Sequence, residues 1–161
     1  GAELLYNPML RDAARETGLP TLPDTDWVLM EYLPQTSAKE LETGLEQVAG
    51  CGYSVLVAHV ERYRCLEQRG LLEKLKARYP IACQMNCSTV LEPGSFWQKR
   101  RVDRWLRKGV IDVIASDTHN TTSRPVKLRE AYEKLKADFG EETADRLTGR
   151  AGPWKAFRET L

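Results

Sequence analysis

Histidine is nearly absent from this chain, with two in 161 residues. Charge of one sign is scarce too: 24 Lys and Arg stand against 23 Asp and Glu, a net +1. A balance that even gives no reason to expect a nucleic-acid or membrane-surface binder, because such partners usually require a clustered basic face. No apolar run approaches the roughly 20 residues needed to span a bilayer, so no membrane insertion is expected. The four cysteines, Cys51, Cys65, Cys83 and Cys87, form no C-x-x-C pair, which argues against a zinc knuckle. Free thiols suit a reducing, cytoplasmic setting. A thiol-based tyrosine phosphatase needs an Arg six residues after its Cys; those positions hold Val57, Leu71, Thr89 and Pro93, so that mechanism is excluded. There is no internal repeat and no low-complexity linker.

What is present is an alternation. Four short segments rich in Val, Ile or Leu read as buried strands: 27–33 (WVLMEYL), 53–59 (YSVLVAH), 81–86 (IACQMN) and 110–116 (VIDVIAS). Helical patterns separate them. Ser37-Ala38-Lys39-Glu40 is a capping box opening a helix that stops at Gly50. Further helices are expected over about 66–78, 96–108 and, directly after Arg124-Pro125, about 126–139, with shorter ones near 7–17 and 141–148. Strand–helix alternation predicts an α/β fold with about four parallel strands and right-handed crossovers, either an open sheet or an arc of a (β/α) barrel. Either way the ligand sits beyond the carboxyl ends of the strands. A length of 161 residues suits a single domain, 1–161.

Both histidines fall at such ends. The first strand carries Glu31; the second ends in His59, followed by Glu61 and Arg62; the third ends in Asn86; the fourth in Asp117-Thr118-His119-Asn120, with Arg124 soon after. Imidazole and carboxylate together bind divalent ions such as Mn²⁺, Zn²⁺ or Fe²⁺. A bound ion acidifies its water towards neutral pH, and Arg forks suit phosphate oxygens. The rim therefore points to metal-assisted phosphoester chemistry. Each residue also has a plainer reading. His59 alone would be a satisfied core histidine, Glu31 a solvent-facing edge residue, Asp117 and Asn120 turn and cap residues. Glu3 could lie in a loose terminus, and Arg62 and Arg124 in surface ion pairs. Glu61 reads as solvated or structural. Trp27, Trp105 and Trp154 read as packing residues. Trp97, beside three basic residues, would line a phosphotyrosine pocket or an oligomer contact, or simply start an amphipathic helix with a basic exposed face.

VLVAHVERY and IASDTHN…RP, in this order, resemble the PHP-type (polymerase and histidinol phosphatase) metallophosphoesterases. The likeness is to the manganese-dependent bacterial protein-tyrosine phosphatases of capsule and exopolysaccharide operons, which read A-H-P-E-R and A-S-D-A-H-N…R. GAELLY, DTDWVLMEY and QMNCSTV extend it over nearly the whole chain. The resemblance implies a distorted (β/α)7 barrel, of which this chain would be the C-terminal two-thirds, since the family's opening His-x-His strand has no counterpart here. It implies Glu3, Glu31, His59, Asp117 and His119 as metal ligands and Arg62 and Arg124 as the catalytic groups that hold phosphate. Metal-activated water would attack phosphorus directly. The implied partner is a phosphotyrosine protein, a bacterial tyrosine kinase of polysaccharide export, with homo-oligomerisation possible. Two alternatives accompany this reading: a small-molecule phosphatase of the histidinol-phosphatase type, and a catalytically dead interaction or oligomerisation module. Val60 stands where the family has Pro, a change expected to loosen the turn after His59.

Overall fold

The computed structural model describes residues 2–116 and 127–151. Its strands form one parallel sheet of five, in the order β1-β2-β3-β4-β5, with helices between them. The chain groups into two compact units, residues 1–83 and 84–161.

The first unit runs β1 (Glu3–Leu5), α1 (Leu10–Glu16), β2 (Trp27–Glu31), α2 (Ala38–Ala49), β3 (Ser54–Val57), two 3₁₀ turns (Val60–Arg62 and Arg64–Glu67), α3 (Leu71–Arg78) and the opening of β4 (Ile81–Asn86). β1 is a strand that hydrophobic patterning does not reveal, and it raises the count from the expected four to five. Three residues are too short for a periodic signal; what makes them a strand is the ladder to β2, pairing Glu3 with Leu29 and Leu5 with Glu31. β2 is shorter than expected, ending at Glu31. Its Val28 and Met30 are buried, while Trp27, Leu29 and Glu31 face the other way and are half-exposed. Because β2 is paired on both sides, with β1 and β3, Glu31 is not an edge residue. The segment expected as one helix over 66–78 is a 3₁₀ turn followed by α3, broken at Gly70, whose φ is +84°.

The capping box forms as the sequence specifies. Ser37 Oγ accepts from the Glu40 backbone N–H at 3.2 Å and Glu40 Oε2 accepts from the Ser37 N–H at 3.0 Å, a device worth about 1 kcal/mol. The Leu41, Leu45 and Val48 stripe of α2 is buried. So is Gly44, which is in the helix interior for steric reasons. A Cβ there would collide with the Tyr32 hydroxyl and would stand 2.8 Å from the Tyr6 ring. The bare helix surface lets these two rings pack at a centroid separation of 5.0 Å.

The second unit completes β4, which pairs with β5 (Val113–Ala115). It adds α4 (Cys87–Leu91), α5 (Phe96–Arg107), α6 (Leu128–Phe139) and α7 (Glu141–Leu147). α4, a single turn, has no periodic signature and is absent from the sequence reading. Ser95 caps α5 by accepting from the Gln98 N–H at 3.2 Å, and Val102, Trp105 and Leu106 are its buried face. Trp105 is a packing residue, as expected, and Trp27 is half-buried; Trp154 lies outside the described residues. Cys83 and Cys87 are buried and all four cysteines are free thiols. Burial pushes the Cys65 and Cys87 thiols up from their ordinary value, which makes them poorer nucleophiles at neutral pH. Among the described residues, no helix is long and apolar enough to cross a membrane.

Candidate metal centre

β3 ends at Val57 and the chain turns sharply at His59, which is in the left-handed region with φ 30° and ψ 55°. That conformation costs a non-glycine residue about 1–2 kcal/mol, and among the described residues only Asp24 also adopts a positive φ without being glycine. Its occurrence at a strand end directs attention to what the turn accomplishes. It aims the imidazole, which is only 4% exposed, so that Nε2 is 3.1 Å from Glu3 Oε1 and 3.3 Å from Glu31 Oε2. Val60 stands in this turn where the resemblance leads one to expect Pro. It is fully buried, and its carbonyl accepts from the Tyr63 N–H at 3.3 Å.

The other imidazole nitrogen is governed by Tyr63. Its hydroxyl donates to the Ala58 carbonyl at 2.8 Å and accepts from the Tyr32 backbone N–H at 3.0 Å. The remaining contact of that oxygen is His59 Nδ1 at 3.4 Å. A phenol has one hydrogen, already given to Ala58, so this contact is a hydrogen bond in the tautomer that carries its proton on Nδ1. Nδ1–H leaves the Nε2 lone pair pointing at two carboxylates. Lone pair against carboxylate is repulsive unless a positive centre, a proton or a metal ion, stands between them. The phenol is held in its donor form. Burial foremost pushes Tyr63 far above the ordinary tyrosine value; the Tyr32 N–H pulls the other way, and the carboxylates of Glu31, Glu3 and Glu61 add to the rise.

The fit to an ion follows from bond lengths. Ligand oxygens and nitrogens about 2.1 Å from one ion and at right angles are about 3.0 Å apart. The distances of 3.1 and 3.3 Å match that spacing, and the three donor atoms of Glu3, Glu31 and His59 all lie within 4.8 Å of one another. One imidazole and two carboxylates suit Mn²⁺, Fe²⁺ or Zn²⁺. The carboxylates are about a third exposed, leaving one side open to a ligand.

Of the residues singled out in the sequence, Glu3, Glu31 and His59 are thus brought together. Glu3 belongs to a paired strand, not a loose terminus. Arg62 is exposed on the 3₁₀ turn that His59 opens. Glu61 is buried, 3% exposed, so the solvated reading is corrected. Asp117, His119, Asn120 and Arg124 lie outside the described residues. Sequence reasoning missed Tyr63, although it stands in the quoted HVERY; nothing in a pattern tells a buried phenol that orients a neighbour from one that merely packs. Tyr63→Phe is expected to weaken Mn²⁺ binding about 10- to 100-fold by freeing the imidazole to rotate. It should also cost about 1–3 kcal/mol through the orphaned Ala58 carbonyl and Tyr32 N–H. Titration calorimetry and urea unfolding on one preparation check both.

Comparison with known proteins fits this geometry. The family model for capsular polysaccharide synthesis, CpsB/CapC, matches residues 1–153. The chain is 35% identical over 154 residues to the tyrosine-protein phosphatase CpsB of Streptococcus agalactiae serotype V, covering 91% of this chain and 63% of that protein. It is 30% identical to CpsB of Streptococcus pneumoniae with the same coverage, and 26% identical to the tyrosine-protein phosphatase YwqE of Bacillus subtilis, covering 58% of it. The chain therefore spans about 60% of the length of the curated relatives it matches. A crystal structure from work on YwqE and S. pneumoniae CpsB, described as unique metal-dependent tyrosine phosphatases, superposes with a TM-score of 0.76 at 25% identity, covering 89% of this chain and 58% of that one.

Proposed function

The chain belongs to the CpsB/CapC family of capsular polysaccharide synthesis, and on that premise we propose that it carries the site of a metal-dependent protein-tyrosine phosphatase. The observation behind the reading is the convergence of Glu3, Glu31 and His59 on one small volume. In this proposal those three residues hold a divalent ion, Mn²⁺ by preference over Zn²⁺ or Fe²⁺. Asp117 and His119 serve as further ligands, and Arg62 and Arg124 hold the phosphate. The bound ion supplies Lewis acidity and an acidified water. The protein's share is positional. Tyr63 fixes the imidazole tautomer, β1 and β2 present the carboxylates from paired strands, and the open side admits the phosphoester. The substrate is a phosphotyrosine protein, a bacterial tyrosine kinase in the capsule setting. The work is done in the cytoplasm, where four free thiols are at home.

The test is hydrolysis of a phosphotyrosine peptide by the metal-stripped chain, with Mn²⁺ restored and then chelated. Release of phosphate that rises with Mn²⁺ and stops with chelator is the expected result. A chain that binds Mn²⁺ yet releases no phosphate would sink the enzymatic reading of this chain. Turnover of histidinol phosphate in preference to the peptide would replace the substrate.

A further inference from the structure

The net charge of +1 conceals a strongly uneven distribution. Residues 96–108 (FWQKRRVDRWLRK) hold six cations, Lys99, Arg100, Arg101, Arg104, Arg107 and Lys108, against the single anion Asp103, a local charge of +5. The rest of the chain is therefore −4. The two most exposed aromatic side chains among the described residues open this same segment: Phe96 is 63% exposed and Trp97 75%. Neither packs into the unit; they contact each other edge to face at 5.5 Å, and the Arg100 guanidinium lies 5.7 Å over the Phe96 ring. Lys99 and Arg100 are three and four residues on from Phe96, on the same side of the helix, and both are exposed. The opposite side, with Arg101, Val102, Trp105 and Leu106, is buried. Arg107 is engaged with Asp103 at 2.9 Å and does not belong to the exposed set.

We propose that Phe96, Trp97, Lys99 and Arg100 form a peripheral docking patch for an anionic lipid surface. Shape selects this partner. Rings exposed by two-thirds or more stand out from the helix, so they cannot cradle an extended acidic peptide, which needs a groove. They can enter the headgroup layer, where Trp and Phe are favoured and Lys and Arg meet lipid phosphate. The charge favours the contact: the segment carries +5, and Lys99 and Arg100 are its exposed cations beside the two rings. Net charge alone gives no reason to expect membrane-surface binding; the segregation of the cations is what supports the proposal. The patch needs no membrane-spanning element and no metal.

Co-sedimentation of the intact chain with two vesicle types tests it, one of pure phosphatidylcholine and one in which roughly a third of the lipid is phosphatidylglycerol. The chain should pellet with the anionic vesicles at low salt and be released as salt rises. Trp97→Ser and Arg100→Glu should each lower partitioning about fivefold or more, while Arg69→Glu, an exposed cation elsewhere, should change it little. Both patch variants replace exposed side chains, and unchanged circular dichroism will confirm that they fold. No pelleting with anionic vesicles, or pelleting equal in wild type and patch variants, overturns the proposal. So does a lipid-free dimer dispersed by the same substitutions, which would make the patch a self-interface. Capture of an acidic protein without vesicle binding overturns it too.

Discussion

Replacing His59 with alanine is expected to weaken Mn²⁺ binding roughly a hundredfold or more, a loss at least as large as that from a residue that only orients a ligand. The substitution removes the one nitrogen donor among the described residues of the site and leaves Glu3 and Glu31 facing each other across the vacated volume. Stability should move much less than affinity. The imidazole leaves a hole beside Tyr63, which costs, but alanine also inherits the left-handed backbone that His59 tolerates better. Together these come to about 1–3 kcal/mol, within the ordinary range for a single substitution. The separation of the two readouts is the point. Calorimetric titration with Mn²⁺ and urea unfolding of the metal-free protein should give a large change in the first and a modest one in the second. Unaltered Mn²⁺ affinity in His59→Ala would remove the residue from the metal site. Collapse of the fold would recast it as a core histidine.

The largest stability effect is expected away from the ligands, at Gly44. Alanine there gains about 1 kcal/mol of helix propensity. It also places a methyl group against the Tyr32 hydroxyl and the Tyr6 ring, where no room exists. Overpacking costs about 1–3 kcal/mol, so Gly44→Ala should be neutral to destabilising despite the better helix former. Gly44→Leu should lose about 3 kcal/mol or more. Because Tyr6 supplies two of the three colliding atoms, adding Tyr6→Leu should recover part of the Gly44→Ala loss. Urea unfolding of these three variants, with Tyr6→Leu alone as a fourth, checks this. A simple stabilisation by Gly44→Ala would show that the rings yield freely.

Much of the scaffold could be read in advance for local reasons. Ser37 and Glu40 cap a helix wherever they stand three apart before an apolar stripe, and Ser95 does the same for α5. The apolar runs of β2, β3 and β4 are long enough to declare themselves. β1 and α4 are not: one is three residues stabilised across a gap of 26 in sequence by its ladder, the other a single turn. His59 and Glu31 are legible as polar anomalies, one at the end of an apolar run and the other inside one. Glu3 is not anomalous in a surface-like GAELLY and was found by resemblance alone. Tyr63 was invisible because its contribution is one hydroxyl hydrogen, and which atom receives it depends on Ala58, Tyr32 and His59 at once. The basic helix start beside Trp97 was legible as a local pattern, while a sum over the chain erases the asymmetry that makes it distinctive.

Four rings stand in file through the first unit. Tyr6 meets Tyr32 at 5.0 Å, Tyr32 meets Tyr63 at 5.9 Å, and Tyr63 meets His59 at 5.9 Å. The HVERY loop is therefore not a portable cassette. Grafted onto another scaffold, it would bring the histidine but not the Tyr32 N–H that seats Tyr63, nor the bare stretch of α2 that seats Tyr32. The smallest transplantable piece is the loop with β2 and a helix carrying glycine at position 44, and a designer who keeps the loop but improves the helix would dismantle the donor from behind.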